Sequence, residues 1–148
     1  MCRPARIGLA EGKIQTAKDY HYAAFIFHYG QEPSDYLYAH VLAVTAVNQG
    51  RHEGMWLSAA SLDRYLVSMG QPQIFGTQFG ALGTWETFRP APRDEMVFDR
   101  GTVSDAIRTM WCIGPQAMHD QISSDMRAGR PFHSNRTCPL PDAQFDPK

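Results

Sequence analysis

The chain has 148 residues, 43% of them hydrophobic and 20% charged, with 14 basic side chains against 15 acidic ones. That is the size and balance of one globular domain able to bury its own core. A formal net charge of −1 argues against a nucleic-acid binder built on a concentrated basic surface, and no run approaches the roughly 20 apolar residues of a membrane-spanning helix.

The opening stretch, MCRPARIGLAEGK, has basic residues but no apolar run behind them, so no secretory leader is expected. The three cysteines, Cys2, Cys112 and Cys138, are odd in number and widely spaced. That pattern suits the reduced thiols of a cytoplasmic protein, with a single Cys112–Cys138 bridge as the alternative.

From Glu11 to Met69 three segments end alike, at Gly30, Gly50 and Gly70, 20 residues apart. Helix, tight turn, helix gives this spacing, each glycine taking a left-handed C-cap conformation. Pro33, Ser34 and Asp35 open the middle segment with helix-start chemistry. Small or apolar residues recur at helical spacing: Ile14, Ala17 and Ala24; Tyr36, Ala39, Ala43 and Val47; Met55, Ala59, Leu62 and Met69. The expectation is a bundle of three antiparallel helices, approaching closely through their alanines. Its helical hairpins resemble those of solenoid repeats.

After Gly70 the period changes. Gln73 to Phe79 and Thr84 to Phe88 are short aromatic-rich runs on either side of GALG, read as an extended segment or small hairpin over 73–88. RPAPRDE is irregular. TVSDAIRTMW then opens a second helical region, with Thr102 as cap and Asp105 three residues on. Gly114-Pro115 breaks it, and PQAMHDQISSDMRAG forms the last helix, ending at Gly129. Residues 130–148 are proline-rich and polar and read as a weakly ordered tail. The chain is thus expected to be one mainly α-helical domain over 1–129, its core in 11–79.

Short turns force antiparallel neighbours, so several polar side chains from distant segments should meet at one end of the bundle. They are His28, His40, Asp63, Arg64, Gln71, Gln73, Thr77 and Gln78, with His40 at the height of Leu62 to Arg64. In one reading Asp63 orients His40 as a general base while Arg64 and Gln78 hold an anion, as in a small hydrolase or transferase. In the other, the same groups serve the fold, because exposed helix ends and buried backbone groups need partners. His21 reads as a satisfied core residue, and His28, near a helix C-terminus, as one favoured when protonated.

Other motifs fail. Cys112, His119, His133 and Cys138 match no compact metal-site spacing, and Gly114-Pro115 interrupts any helix that would align the first two. No phosphate-cradling loop, dinucleotide fingerprint or nucleophile elbow is present. Neither a metal nor a cofactor is expected.

The runs AAFIFHYG, DYLYAHVLAVTAVNQG and WLSAASLDRYLVSMGQPQIFGTQF resemble an uncharacterised family of bacterial helical proteins, a domain of unknown function. Its members carry a D-R-x-L-x-x-x-G-x-P-Q-x-[FY]-G-T-Q signature. The likeness covers residues 11–79 and continues more weakly to about Gly129. It implies the helical organisation and marks His28, His40, Asp63, Arg64, Gln73, Gly76, Thr77 and Gln78, but it implies no reaction. The expected function is a helical module for a peptide or protein partner, with ligand contacts from His28, Arg64, Gln73, Thr77 and Gln78. The alternative is the small enzyme using His40 and Asp63.

Overall fold

Thr16 sets where the first helix begins. Its hydroxyl accepts the Asp19 N–H at 3.1 Å, and the Asp19 carboxylate accepts the Thr16 N–H at 3.0 Å. This reciprocal capping box starts helix α1 (Ala17–His28), later than the expected opening at Glu11. The computed structural model describes residues 8, 11–79, 81–82, 89–90 and 97–138, with backbone alone for 81–82 and 89–90. Helices α2 (Pro33–Asn48) and α3 (Gly54–Ser68) follow, then strands β1 (Ala81–Leu82) and β2 (Arg89–Pro90), and helices α4 (Asp105–Met110) and α5 (Gln116–Arg127). The protein is mainly helical, as expected.

Pro33 is in the first turn of α2, and the Asp35 carboxylate reaches back to the N–H groups of Gln31 at 3.3 Å and Glu32 at 3.5 Å. Gly50 and Gly70 take the expected left-handed conformation, with φ of +93° and +71°, but Gly30 does not. Glycine is needed at 30 for another reason: a Cβ there would lie 2.5 Å from the Asp35 Cβ.

Helix α2 packs against both α1 and α3, which touch each other only lightly. Ala23, Ala24 and Phe27 of α1, Ala39, Leu42 and Ala43 of α2, and Leu57 of α3 form the first core cluster. Alanine lets the backbones approach, and the large side chains fill what remains. Phe27 meets Tyr38 edge-on at 5.0 Å. Full burial of a Phe or Leu of this kind stabilises by about 1.5–3 kcal/mol.

A second cluster joins Ala59 of α3 to Phe75, Val103 and Ile113, with Trp111 against Phe75 at 4.9 Å. Trp56 packs on both clusters. The chain reaches this half through an extended stretch in which Gln73 pairs in parallel with Phe98. The Gln73 N–H donates to Val97 O at 2.9 Å, and Asp99 N–H donates to Gln73 O at 2.9 Å. β1 and β2 pair antiparallel, Ala81 opposite Pro90; the Thr84–Phe88 run lies outside the described residues. Ser104, not Thr102, caps α4: its hydroxyl accepts Ile107 N–H at 3.4 Å, while the Thr102 hydroxyl donates to Asp99 at 2.6 Å.

The expectation of a weakly packed tail does not hold over 135–138, whereas 130–134 are exposed. Asn135 is buried, Gly114 N–H donates to Asn135 O at 2.8 Å, and Thr137 N–H donates to Cys112 O at 2.9 Å. Cys112 and Cys138 form a disulfide, so the reduced-thiol reading gives way to the alternative. The reason is local. Cys112 ends α4 in a left-handed conformation, φ +60°, and the strand-like pairing of Ile113 with Arg136 brings Cys138 beside it. Residues 139–148 lie outside the described residues. Among the described residues, no helix is long and apolar enough to cross a membrane.

Candidate functional site

The segment QPQIFGTQF, Gln71 to Phe79, leaves the end of α3 and turns back along it. Beyond the bridge from Gln73 to Phe98 it has no helix or sheet ladder, so side chains must pair much of its remaining backbone. Asp63 of α3 is fully buried and takes three of the segment's N–H groups. One carboxylate oxygen accepts the Ile74 and Phe75 N–H groups at 2.8 and 2.9 Å. The other accepts the Thr77 N–H at 2.9 Å and its hydroxyl at 2.7 Å. Burial pushes the Asp63 carboxyl above its ordinary value, and these hydrogen bonds oppose the rise.

Gln73 lies along the backbone of Gln78 as a strand would. Its carbonyl oxygen accepts the Gln78 N–H at 2.9 Å, and its amide nitrogen donates to Gln78 O at 2.9 Å. The Gln78 side chain donates to Ala60 O on α3 at 3.2 Å. Gly76, with φ +69°, sits where a Cβ would meet the Phe98 ring at 2.7 Å.

The other side of the loop is held by residues that sequence reasoning missed. Arg108 of α4 is fully buried and donates to Phe75 O; it also donates to Gly114 O, through Nε at 3.0 Å and Nη2 at 2.8 Å. His119 of α5 donates from Nδ1 to Gly76 O at 2.7 Å, its ring between Phe79 at 4.7 Å and Phe98 at 4.8 Å. Burial lowers the His119 pKa, so the ring stays neutral near pH 7. Asn135 donates to the same Gly76 oxygen at 3.0 Å and accepts from Trp56 Nε1 at 3.3 Å. One signal was present in the sequence: a lone arginine at position 108 in the apolar stretch AIRTMW. A charge there must find partners or leave the core.

The proposed acid–base pair is not assembled. His40 Nδ1 donates to Ser58 O at 2.8 Å, one helical turn short of its expected height, and both Asp63 oxygens are taken by the loop. Gln73, Thr77 and Gln78 are likewise spent on the backbone and on each other. His28 and Arg64 do meet. Arg64 Nη1 donates to His28 Nε2 at 3.5 Å, and His28 Nδ1 therefore carries the proton toward Ser61 Oγ at 3.0 Å. Burial, and then the Arg64 charge, bring the His28 pKa down to about 3, which reverses the expectation of a protonated residue at the helix end. The Arg64 guanidinium rests over Tyr36 at 5.2 Å and Tyr29 at 5.8 Å.

Chemically the cluster is a lock. Its donors and acceptors are matched within the chain, which fits a structural task better than turnover. Comparison of the chain with family models, curated proteins and solved structures finds no match.

Proposed function

We propose that the protein is a small helical module that binds a peptide or protein partner through the outer faces of α1 and α2, not through the polar loop. One observation carries this reading. Tyr22 and Phe25 on α1 with Tyr29 at its C-cap, and Leu37, Val41 and Val44 on α2, recur at helical spacing and remain 40–52% exposed. The opposite faces of the same helices fill the core. Three half-exposed aromatic side chains alone leave on the order of 300 Å² in solvent, a size at which apolar patches are often functional. The hydrolase or transferase reading requires His40 and Asp63 to act together, and their hydrogen bonds go elsewhere.

The likeness to a bacterial helical family is part of this proposal. The signature positions Asp63, Gln73, Gly76, Thr77 and Gln78 all help to hold the loop, so the likeness speaks for a shared architecture. The Cys112–Cys138 bridge favours an oxidising compartment over the cytoplasm expected from free thiols.

The test is a photo-crosslinking amino acid in place of Phe25, with exposed Gln121 on α5 as the control position, in cells that make the protein. A discrete adduct from position 25, lost on Val41→Glu, is the expected result. Equal adducts from both positions would refute the docking face.

A further inference from the structure

The exposed face of α1 carries charge as well as apolar surface. Lys18, Tyr22, Phe25 and, at the C-cap, Tyr29 follow one another at intervals of four, three and four residues, which puts them on one side of the helix. Distances join them into one strip. Lys18 Nζ lies over the Tyr22 ring at 5.9 Å, the Phe25 and Tyr29 rings are 5.4 Å apart, and the Arg64 guanidinium reaches Tyr29 from α3 at 5.8 Å. Three half-exposed rings thus stand between two cations, one at each end.

Neither cation is matched. Lys13, Arg100 and Arg130 each hold a carboxylate, but among the described residues Lys18 and Arg64 have none within ion-pair distance. Asp19 is engaged on the cap of α1, Asp35 on that of α2, and Asp63 on the loop. Arg51 also lies over Tyr22, at 5.8 Å, but Glu53 meets its charge at 3.3 Å. Arg64 is half-buried, its guanidinium against the Tyr29 and Tyr36 rings and the neutral His28. A cation partly withdrawn from water gains more from an anion than a fully exposed one does.

A charge pattern of this kind selects among occupants. In a two-fold dimer through the strip, cation would face cation whether the helices ran parallel or antiparallel, so a second copy fits badly. Two cations also fall short of the basic cluster that holds an anionic membrane. A helix has no free backbone edge for an added strand, whereas rings three and four residues apart form a ridge that another helix can pack against.

We infer that α1 takes an amphipathic helix with two acidic side chains about 16 Å apart, or about three turns, one for Lys18 and one for Arg64, and apolar side chains between them over Tyr22, Phe25 and Tyr29. This rests on the docking reading above and adds the partner's chemistry.

The probe is a displayed library of Ala-based helices of about five turns, with Leu fixed at two central positions and Glu, Gln or Lys free at two sites three turns apart. It is selected on the whole chain and counter-selected on Phe25→Glu. Glu at both sites is the expected outcome. Gln at either site should weaken binding about three-fold in low salt and less in high salt. Lys18→Glu, at an exposed position, should turn the choice at one site to Lys. Phe25-dependent helices with no charge preference would overturn the acidic partner and leave the docking face standing. So would a preference for Glu that survives Lys18→Glu and Arg64→Gln combined. No Phe25-dependent helix at all would overturn both. Phe25-dependent dimerisation, or binding to vesicles of phosphatidylserine and phosphatidylcholine in place of any helix, would give the face to another occupant and overturn the inference.

Discussion

Asp63→Asn keeps the size and shape of the side chain that holds the loop and changes only its chemistry. The carboxylate accepts two N–H groups on one oxygen, and an N–H and a hydroxyl on the other. An amide has one oxygen, so whichever way it turns, its NH₂ faces a pair of donors. Thr77 can rotate its hydroxyl away, but a backbone N–H cannot. Stranding a buried donor costs about 1–3 kcal/mol, and bonds to a charged acceptor lie at the upper end. Against this, the amide escapes the burial penalty that raises the Asp63 pKa. It also removes one of the anions that act on Arg108, although Asp105 stays 3.4 Å from its Nε. The net expectation is a loss of about 3 kcal/mol in urea unfolding with an unchanged m-value, and faster hydrogen exchange at Ile74, Phe75 and Thr77. Thr77→Val should cost about 1 kcal/mol in the wild-type background and less in Asp63→Asn, because the two share a bond. A loss under about 0.5 kcal/mol with unchanged exchange at the three amides would refute the lock and reopen a catalytic role for Asp63.

The other expectations concern the same architecture. Cys138→Ser, or reduction by a dithiol, opens a cross-link across a sequence separation of 26 and should cost about 3–4 kcal/mol; an unchanged urea midpoint would mean that the strap holds without it. Gly76→Ala places a Cβ against Phe98 at a φ of +69° and should cost about 2–3 kcal/mol, with near-neutral stability as the contrary result. Gln78→Ala removes the bond to Ala60 O and should cost about 1–2 kcal/mol by the same urea assay. Stability should also fall with acid. The His28 pKa is about 3 when folded against an ordinary 6.5, so the unfolded chain takes the proton first as pH drops. Stability is full above pH 6.5, and His28 alone removes about 2 kcal/mol between pH 7 and pH 5. His21 and His119 are shifted the same way and deepen the loss. A His28→Gln variant with an equally steep urea-midpoint profile over that range would disprove the assignment.

What could be read in the sequence was what repeats or follows from local chemistry. Helical spacing and terminal glycines located α1 to α3, and the break at Gly114-Pro115 separated α4 from α5. Local chemistry also went unread at Thr16 and Asp19, whose capping box is plain in the letters. The convergence of His28 with Arg64 followed from antiparallel geometry. The register of His40 did not, because a helix hairpin slides by a turn without changing its pattern. The loop was recognised as polar and packed, but its far side was invisible. Arg108, His119 and Asn135 lie 33, 43 and 59 residues from the loop atoms they bind, and no periodicity links them. The disulfide was undecided for the same reason: odd cysteine counts say nothing about which backbones meet.

The loop's position explains why so much polarity is spent there. Apolar packing alone would let the second half of the chain settle against α3 in several ways, since hydrophobic contacts have little direction. Hydrogen bonds to fixed backbone atoms do not slide. Asp63 reads three N–H groups of the loop from one side, while Arg108, His119 and Asn135 read two of its carbonyls from the other. A shift of one residue would strand every one of these groups at once. The opposite charges of Asp63 and Arg108 add a preference for this arrangement over its near neighbours, although burying them costs desolvation. Such a segment trades some stability for a unique register, and Trp56, which packs on both core clusters and donates to Asn135, carries that register into the bundle. In the docking function proposed above, the α1 and α2 faces would be presented on this fixed frame, and that preorganisation would reduce the entropy lost on binding.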